Sequence, residues 1–173
     1  TIFTSESVTA GHPDKLCDQI SDAAIDAFLR QDIAAHAIVE CAIATGVVFL
    51  AARFSAGSAV DLPSLARNVI TDAGYVDTEF DARKCSILTS FSELPAADGT
   101  VGAEPCDEDL DRFAAHEQAN VFGYACNDTV ELMPLPIALA HRLARALDHA
   151  RRTDTPWLAP DAKTQVAVVY AGS

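Results

Sequence analysis

The stretch 13–54 constrains the fold more than any other part of the chain. Leu16, Ile20, Ala24 and Phe28 recur at four-residue intervals, which makes one apolar stripe of a helix. Pro13 stands at its start, where the missing N–H leaves no bond unmade. Asp18, Asp22, Asp26 and Arg30 fall on other faces. Residues 37–45 then form an apolar run that suits a buried strand, Thr45-Gly46 punctuates it, and 47–54 continue as a second strand. The pair reads as a hairpin. A helix with one apolar stripe beside a hairpin has a single economical solution, which is to lay the stripe on the sheet.

The rest of the chain continues the alternation. Asp61 caps a helix through about residue 73, with Leu62, Leu65, Ala66, Val69 and Ile70 on one face, and Gly74 closes it. Residues 85–91 read as a strand. Pro134 and Pro136 precede a helix through about residue 152, and 166–170 read as a strand after a loop marked by Pro156 and Pro160. Ile2 and Phe3 are apolar, and the polar stretch after them, through Gly11, reads as turn-prone. Strands and helices interleave, so the class is α/β (α+β), a mixed sheet backed by helices. The stretch 92–111 differs in kind: it holds Pro95, Gly99, Gly102 and Pro105 with seven acidic residues. A loop of this length is usually functional. It sets the expected organisation, with one domain over 1–95, an acidic mobile loop over 96–111 and the start of a second domain over 112–173.

Charge and cysteine usage narrow the function. The net charge of −13 argues against a nucleic-acid-binding face and against adhesion to an anionic membrane. There are only three lysines, Lys15, Lys84 and Lys163, so a polyphosphate would have to be met locally, by a few cations or by metal. Cysteines stand at 17, 41, 85, 106 and 126, an odd number with no Cys-x-x-Cys pair. That pattern suggests reduced thiols in a cytoplasmic protein and offers no zinc-site spacing. No apolar run reaches the roughly 18 residues of a membrane span, and the opening does not read as a signal peptide. Thr1 in place of methionine, and Ala171-Gly172-Ser173 directly after an apolar run, suggest a portion of a longer product.

Several constellations could carry chemistry. In 5–15, Gly11 permits a close approach just before the helix, whose N-terminus favours anions. His12 and Lys15 add donors for phosphate oxygens, and Asp14 adds a hard oxygen for Mg²⁺. The same spacing also describes an ordinary capped helix with solvated charges. In 159–165, a loop delivers Asp161 and Lys163 to a strand start, or forms an exposed charged turn. Glu40 lies mid-strand, so it is either a buried acid needing a partner or metal, or an outward residue on an edge strand. His116-Glu117-Gln118 reads as loop polarity. Arg142, Arg145, Arg151 and Arg152, with His141 and His149, read as a mostly solvated helix face.

Taken in order, these segments resemble the methionine adenosyltransferase (S-adenosylmethionine synthetase) family. The resemblance rests on Thr4-Ser5-Glu6-Ser7-Val8, Gly11-His12-Pro13-Asp14-Lys15, Asp18-Gln19-Ile20-Ser21-Asp22-Ala23 and Thr45-Gly46. It continues through Phe122-Gly123-Tyr124-Ala125, Leu132-Met133-Pro134, Ala140-His141-Arg142-Leu143, Pro156-Trp157-Leu158 and Pro160-Asp161-Ala162-Lys163-Thr164-Gln165-Val166. It implies pseudo-threefold related α/β domains, incomplete in this chain, and a homo- or hetero-oligomer with sites between subunits. It implies an adenosyl transferase of one-carbon metabolism that uses ATP, methionine, Mg²⁺ and K⁺ and releases phosphate and pyrophosphate. By resemblance His12 and Lys163 are catalytic, and His12, Pro13, Asp161, Ala162 and Lys163 face ATP. Asp14 holds Mg²⁺ and Glu40 the K⁺. The acidic loop gates the site.

The methionine side departs from the family. Arg53 stands where the family has a glutamate for the substrate ammonium, and Leu94 where it has a glutamine. Glu117 lies in an Ala-His-Glu-Gln-Ala run that replaces a glycine-flanked aspartate. The expectation is therefore a subunit or fragment inactive alone, completed by a partner chain or a C-terminal continuation. The alternatives are a non-catalytic half-site or regulatory subunit, and a polyphosphate-cleaving relative with an altered substrate.

Overall fold

The computed structural model describes residues 1–55, 60–94 and 118–171. The expected loop over 96–111 and Glu117 lie outside these residues. Five strands and three helices occur among the described residues. In chain order they are β1 (Ile2–Val8), α1 (Pro13–Gln31), β2 (His36–Ala44), β3 (Val47–Ser55), α2 (Leu62–Ala73), β4 (Ser86–Glu93), α3 (Leu135–Thr153) and β5 (Lys163–Val169).

The first body is a three-stranded mixed sheet, order β2-β3-β4, backed by α1 and α2. Thr45 and Gly46 both have positive φ, 44° and 82°, the geometry that matches the twist of a two-residue hairpin. The hairpin therefore registers Ala44 with Val47 and Ile38 with Arg53. β4 runs parallel to β3, which requires a crossover, and α2 supplies it. Asp61 caps α2 through the amide of Ser64 at 3.0 Å, and Gly74 ends it with a left-handed φ of 105°. The predicted stripe of α1 is its buried face: Leu16, Ile20, Ala24 and Phe28. These meet Val48, Leu50 and Ala52 of β3, and Phe28 stacks on Phe54 with ring centroids 4.9 Å apart. Full burial of each such large side chain contributes about 1.5–3 kcal/mol.

The second body is smaller. β1 and β5 pair antiparallel, Ile2 with Val169 through Val8 with Lys163, and α3 packs on one face. This corrects the turn-prone reading of the opening residues, which form a strand as far as Val8. Thr4, Ser5, Glu6 and Ser7 carry no strand signal of their own. Their pairing comes from β5, and Thr1 binds Tyr170 across 169 positions of sequence. Polar side chains on the two strands find specific partners on α3: Ser7 Oγ of β1 lies 2.8 Å from His141 Nδ1, and Thr164 Oγ1 of β5 donates to the Ala140 carbonyl at 2.8 Å.

Among the described residues Cys17, Cys41, Cys85 and Cys126 are free thiols. Burial, with Cys17 hydrogen-bonded beside it, pushes the Cys41 thiol up to about 12. Among the described residues no helix is long and apolar enough to cross a membrane.

Candidate active site

The two charged motifs meet where the bodies join. β1 runs out into Thr9, whose amide donates to the Ala162 carbonyl at 2.9 Å. The Thr9 hydroxyl donates to the Pro160 carbonyl at 2.6 Å and accepts from the Ala162 amide at 2.9 Å. Thr9 is 4 % exposed, so these bonds serve groups that water does not reach. Gly11 is pressed against Pro160: a Cβ there would lie 2.5 Å from the proline's Cβ and carbonyl oxygen. Only glycine allows this approach. The turn before α1 and the loop before β5 are thus fastened together, although Thr9 and Pro160 are 151 positions apart.

On that joint, His12 is the N-cap of α1, with Nδ1 accepting from the Asp14 amide at 3.3 Å. Gln19 Nε2 steadies the turn from within the helix, donating to the Ala10 carbonyl at 2.7 Å. Pro13 takes the first helical position. Asp14 projects into solvent, its carboxylate 94 % exposed and 4.0 Å from His12. Lys163 opens β5 and pairs with Glu6 of β1 at 2.6 Å. Asp161 and Ala162 lie on the loop between, Asp161 exposed and Ala162 half-buried. Asp161 and Ala162 line a cavity of about 230 Å³ with Thr9, Asp148 and Arg151. A larger one, about 630 Å³, opens between β1 and α3, lined by Glu6, Thr9, Lys15, His141, Arg145 and Asp148 and not by His12, Asp14 or Lys163.

Glu40, Arg53 and Leu94 sit elsewhere. Glu40 points outward from edge strand β2, so the outward reading of its position holds. It faces Ala51 across the hairpin, and Ala51 faces Ser90 of β4. Arg53 is one step along the same outward face, opposite Ile38 and Ser92. Leu94 follows β4, and its amide donates to the Phe54 carbonyl at 2.7 Å. No hydrogen bond or ion pair among the described residues joins these three to His12, Asp14 or Lys163.

The donors can be tested against the implied metals. Among the described residues no group of three or more His, Cys, Asp or Glu side chains converges. Mg²⁺ keeps several waters and takes one or two carboxylates plus phosphate oxygens, and the exposed carboxylate of Asp14 is a donor of that type. For K⁺, Glu40 and Ser90 supply a carboxylate and a hydroxyl either side of the small Ala51. The donor type fits, with Arg53 beside it as a competing cation.

Some participants carried no sequence signal. Glu6 as the partner of Lys163, and Thr9 as the fastener, emerge only from the β1–β5 register. Arg151 departs from the solvated face expected of its helix. Its side chain is 11 % exposed, and it donates to the Ala73 carbonyl at 3.0 Å and to Asp148 at 2.9 Å. Burial works against the Asp148 charge, but bonds from Arg152 and Arg151 outweigh it and hold the carboxyl below its usual range. Arg142 and Arg152 are solvated as expected, paired with Glu131 and Asp148.

A mixed α/β fold with charged motifs from both ends of the chain fastened at one joint is the class these observations define. Residues 1–95 match the family model of the S-adenosylmethionine synthetase N-terminal domain, and residues 112–173 match that of the central domain. The chain belongs to the S-adenosylmethionine synthetase family.

Proposed function

We propose that this chain makes S-adenosylmethionine from ATP and methionine as a subunit of a larger assembly, releasing phosphate and pyrophosphate. The observation that supports the reading is the joint of Thr9 and Gly11 with Pro160 and Ala162, which fastens the turn leading into His12 and Asp14 to the loop leading into Lys163. In this reaction the methionine sulfur attacks C5′ of ATP and tripolyphosphate departs, so charge develops on the oxygen leaving C5′. Catalysis of that kind depends on donors fixed before the reaction, where charge will appear. His12 offers its imidazole to that oxygen. Lys163 exchanges Glu6 for the phosphates, and the backbone of Pro13, Asp161 and Ala162 borders the nucleotide. Mg²⁺, when bound at Asp14, offsets phosphate charge. Glu40 with Ser90 is the proposed K⁺ contact, and Leu94 and Glu117 border the proposed methionine pocket. The domain division at 96–111 stands as part of the same proposal.

Assembly is supported by the outward sheet faces. Ile38, Phe49 and Leu88 on the first body, and Ile2 and Val169 on the second, present apolar surface that a partner subunit would cover. The partner is another chain of the same family, identical or not.

Arg53 favours a second reading, a half-site subunit whose methionine pocket comes from elsewhere. A guanidinium repels the substrate ammonium that a carboxylate would attract. Turnover with ATP, methionine, Mg²⁺ and K⁺, scoring S-adenosylmethionine and phosphate separately, decides between them. Product from the 173-residue chain alone supports a self-sufficient site. Product only on mixing with a second family chain supports the half-site. Methionine-independent phosphate release overturns both in favour of a polyphosphate-cleaving relative.

A further inference from the structure

We infer that Tyr75 is a positioning residue for the Gly11–His12–Asp14 turn, clamping it from the segment just after α2 while Pro160 bounds it on the other side. Its importance for catalysis rests on the proposed roles of His12 and Asp14, but the clamp itself does not. The Tyr75 hydroxyl donates to the Gly11 carbonyl at 2.5 Å, in a buried contact between residues 64 positions apart. Gly11 is thereby held twice. Its Cα has no room to move toward Pro160, and its carbonyl cannot turn without leaving a buried acceptor unpaired. The residue that follows, His12, is the N-cap, so a rotation at Gly11 swings the imidazole and the whole first turn of α1.

The clamp is itself braced. Tyr75 is 9 % exposed, and its ring meets Phe80 edge to face at 5.0 Å. Its amide donates to the Ile70 carbonyl and its carbonyl accepts from the Ala82 amide. Just before it, Gly74 leaves space for the Arg151 guanidinium, which binds the Ala73 carbonyl. The brace therefore runs from α3 through the end of α2 to the turn before α1. Burial, then the nearby Asp161, pushes the phenol above its ordinary range.

Tyr75→Phe deletes only the hydroxyl. Ile70→Val, one methylene lost in the core under the same segment, controls for general destabilisation. Two measurements on the full chain separate the claims: amide hydrogen exchange at Asp14 and Leu16, and Mg²⁺-dependent binding of tripolyphosphate. Tyr75→Phe should speed exchange at both amides about tenfold and weaken tripolyphosphate binding about tenfold, while amides inside α2 stay protected. Ile70→Val should move neither selectively. Unchanged exchange at Asp14 and Leu16 in Tyr75→Phe overturns the clamp, whatever the binding does. Exchange that responds in a chain whose wild type binds no tripolyphosphate upholds the clamp and sinks the phosphate reading of the turn.

Discussion

The two bodies are built on different principles. The first packs α1 and α2 on three strands around Leu16, Ile20, Phe28, Leu50 and Ile70, a continuous apolar core to which β4 adds Ile87. The second lays one helix on two strands, and the apolar side chains that its helix fully buries are small: Pro136, Ala138, Ala140 and Ala144. Its order comes from polar fasteners: Thr164 to Ala140, Ser7 to His141, and Thr9 to Pro160 and Ala162. Several of its large apolar groups are turned out, with Phe122 93 % exposed and Val121, Val130 and Trp157 nearly as open, while Ile137, Leu139 and Leu147 are only half-buried. Apolar burial is non-directional and tolerant, whereas hydrogen bonds fix register and fail singly. The candidate site lies at the joint, held by the directional kind. Stability and site geometry should therefore respond to different substitutions.

The largest stability effect is expected in the first body. Phe28→Ala removes the ring stacked on Phe54 and leaves a cavity, at a cost of about 3–5 kcal/mol in urea unfolding. Gly11→Ala should cost less, about 1–3 kcal/mol from overpacking against Pro160, yet abolish tripolyphosphate binding by parting the two motifs. If Gly11→Ala binds as wild type does, the joint is not the site. Thr9→Val keeps the shape and removes the hydroxyl, so the Pro160 carbonyl and Ala162 amide lose a partner. The expected loss is about 1–3 kcal/mol, with the β1–β5 amides exchanging before those of β2 and β3. Simultaneous exposure of both sheets would erase the contrast between the bodies.

The same contrast explains what the sequence disclosed. The stripe of α1, the Thr45-Gly46 turn, and the Asp61 and Gly74 caps of α2 are legible because each depends on residues within a turn or two of one another. β1 was not, because Thr4-Ser5-Glu6-Ser7 becomes a strand only against β5. Tyr75 and Arg151 were invisible as site residues because their bonds run to backbone carbonyls, which any sequence offers. Glu40 was ambiguous until the order β2-β3-β4 put its strand at an edge. The motifs around His12 and Lys163 were recognisable only by family resemblance. Their adjacency follows from the β1–β5 register.

Acid should weaken the tie between α3 and the first body. Asp148 is charged in the fold with a depressed pKa, so its contribution is full above the unfolded value near 4 and is lost as pH falls through the folded one. Asp81, held below the usual range by its Arg83 bonds, adds a loss of the same sign in the first body. Melting temperature should fall from about pH 4 downward, and Asp148→Asn should flatten part of that slope while lowering stability at neutral pH. A slope unchanged by Asp148→Asn would mean the Arg151 brace does not depend on the carboxylate.

Arg53→Glu is expected to change stability least and function most selectively. The side chain stands on the outward face of β3, makes no ion pair among the described residues, and surface changes of this kind usually fall within about 0.5 kcal/mol. Its consequence is electrostatic. The substitution exchanges a cation for a carboxylate one step from Glu40, which would favour both a substrate ammonium and a monovalent cation on that face. If this chain supplies its own methionine pocket, Arg53→Glu should lower the KM for methionine at least about tenfold, the effect of one favourable charge contact, and leave tripolyphosphate binding at the joint untouched. If the KM does not move while a partner chain still restores turnover, methionine is bound by the partner, and Arg53 marks a half of the site that this chain has given up.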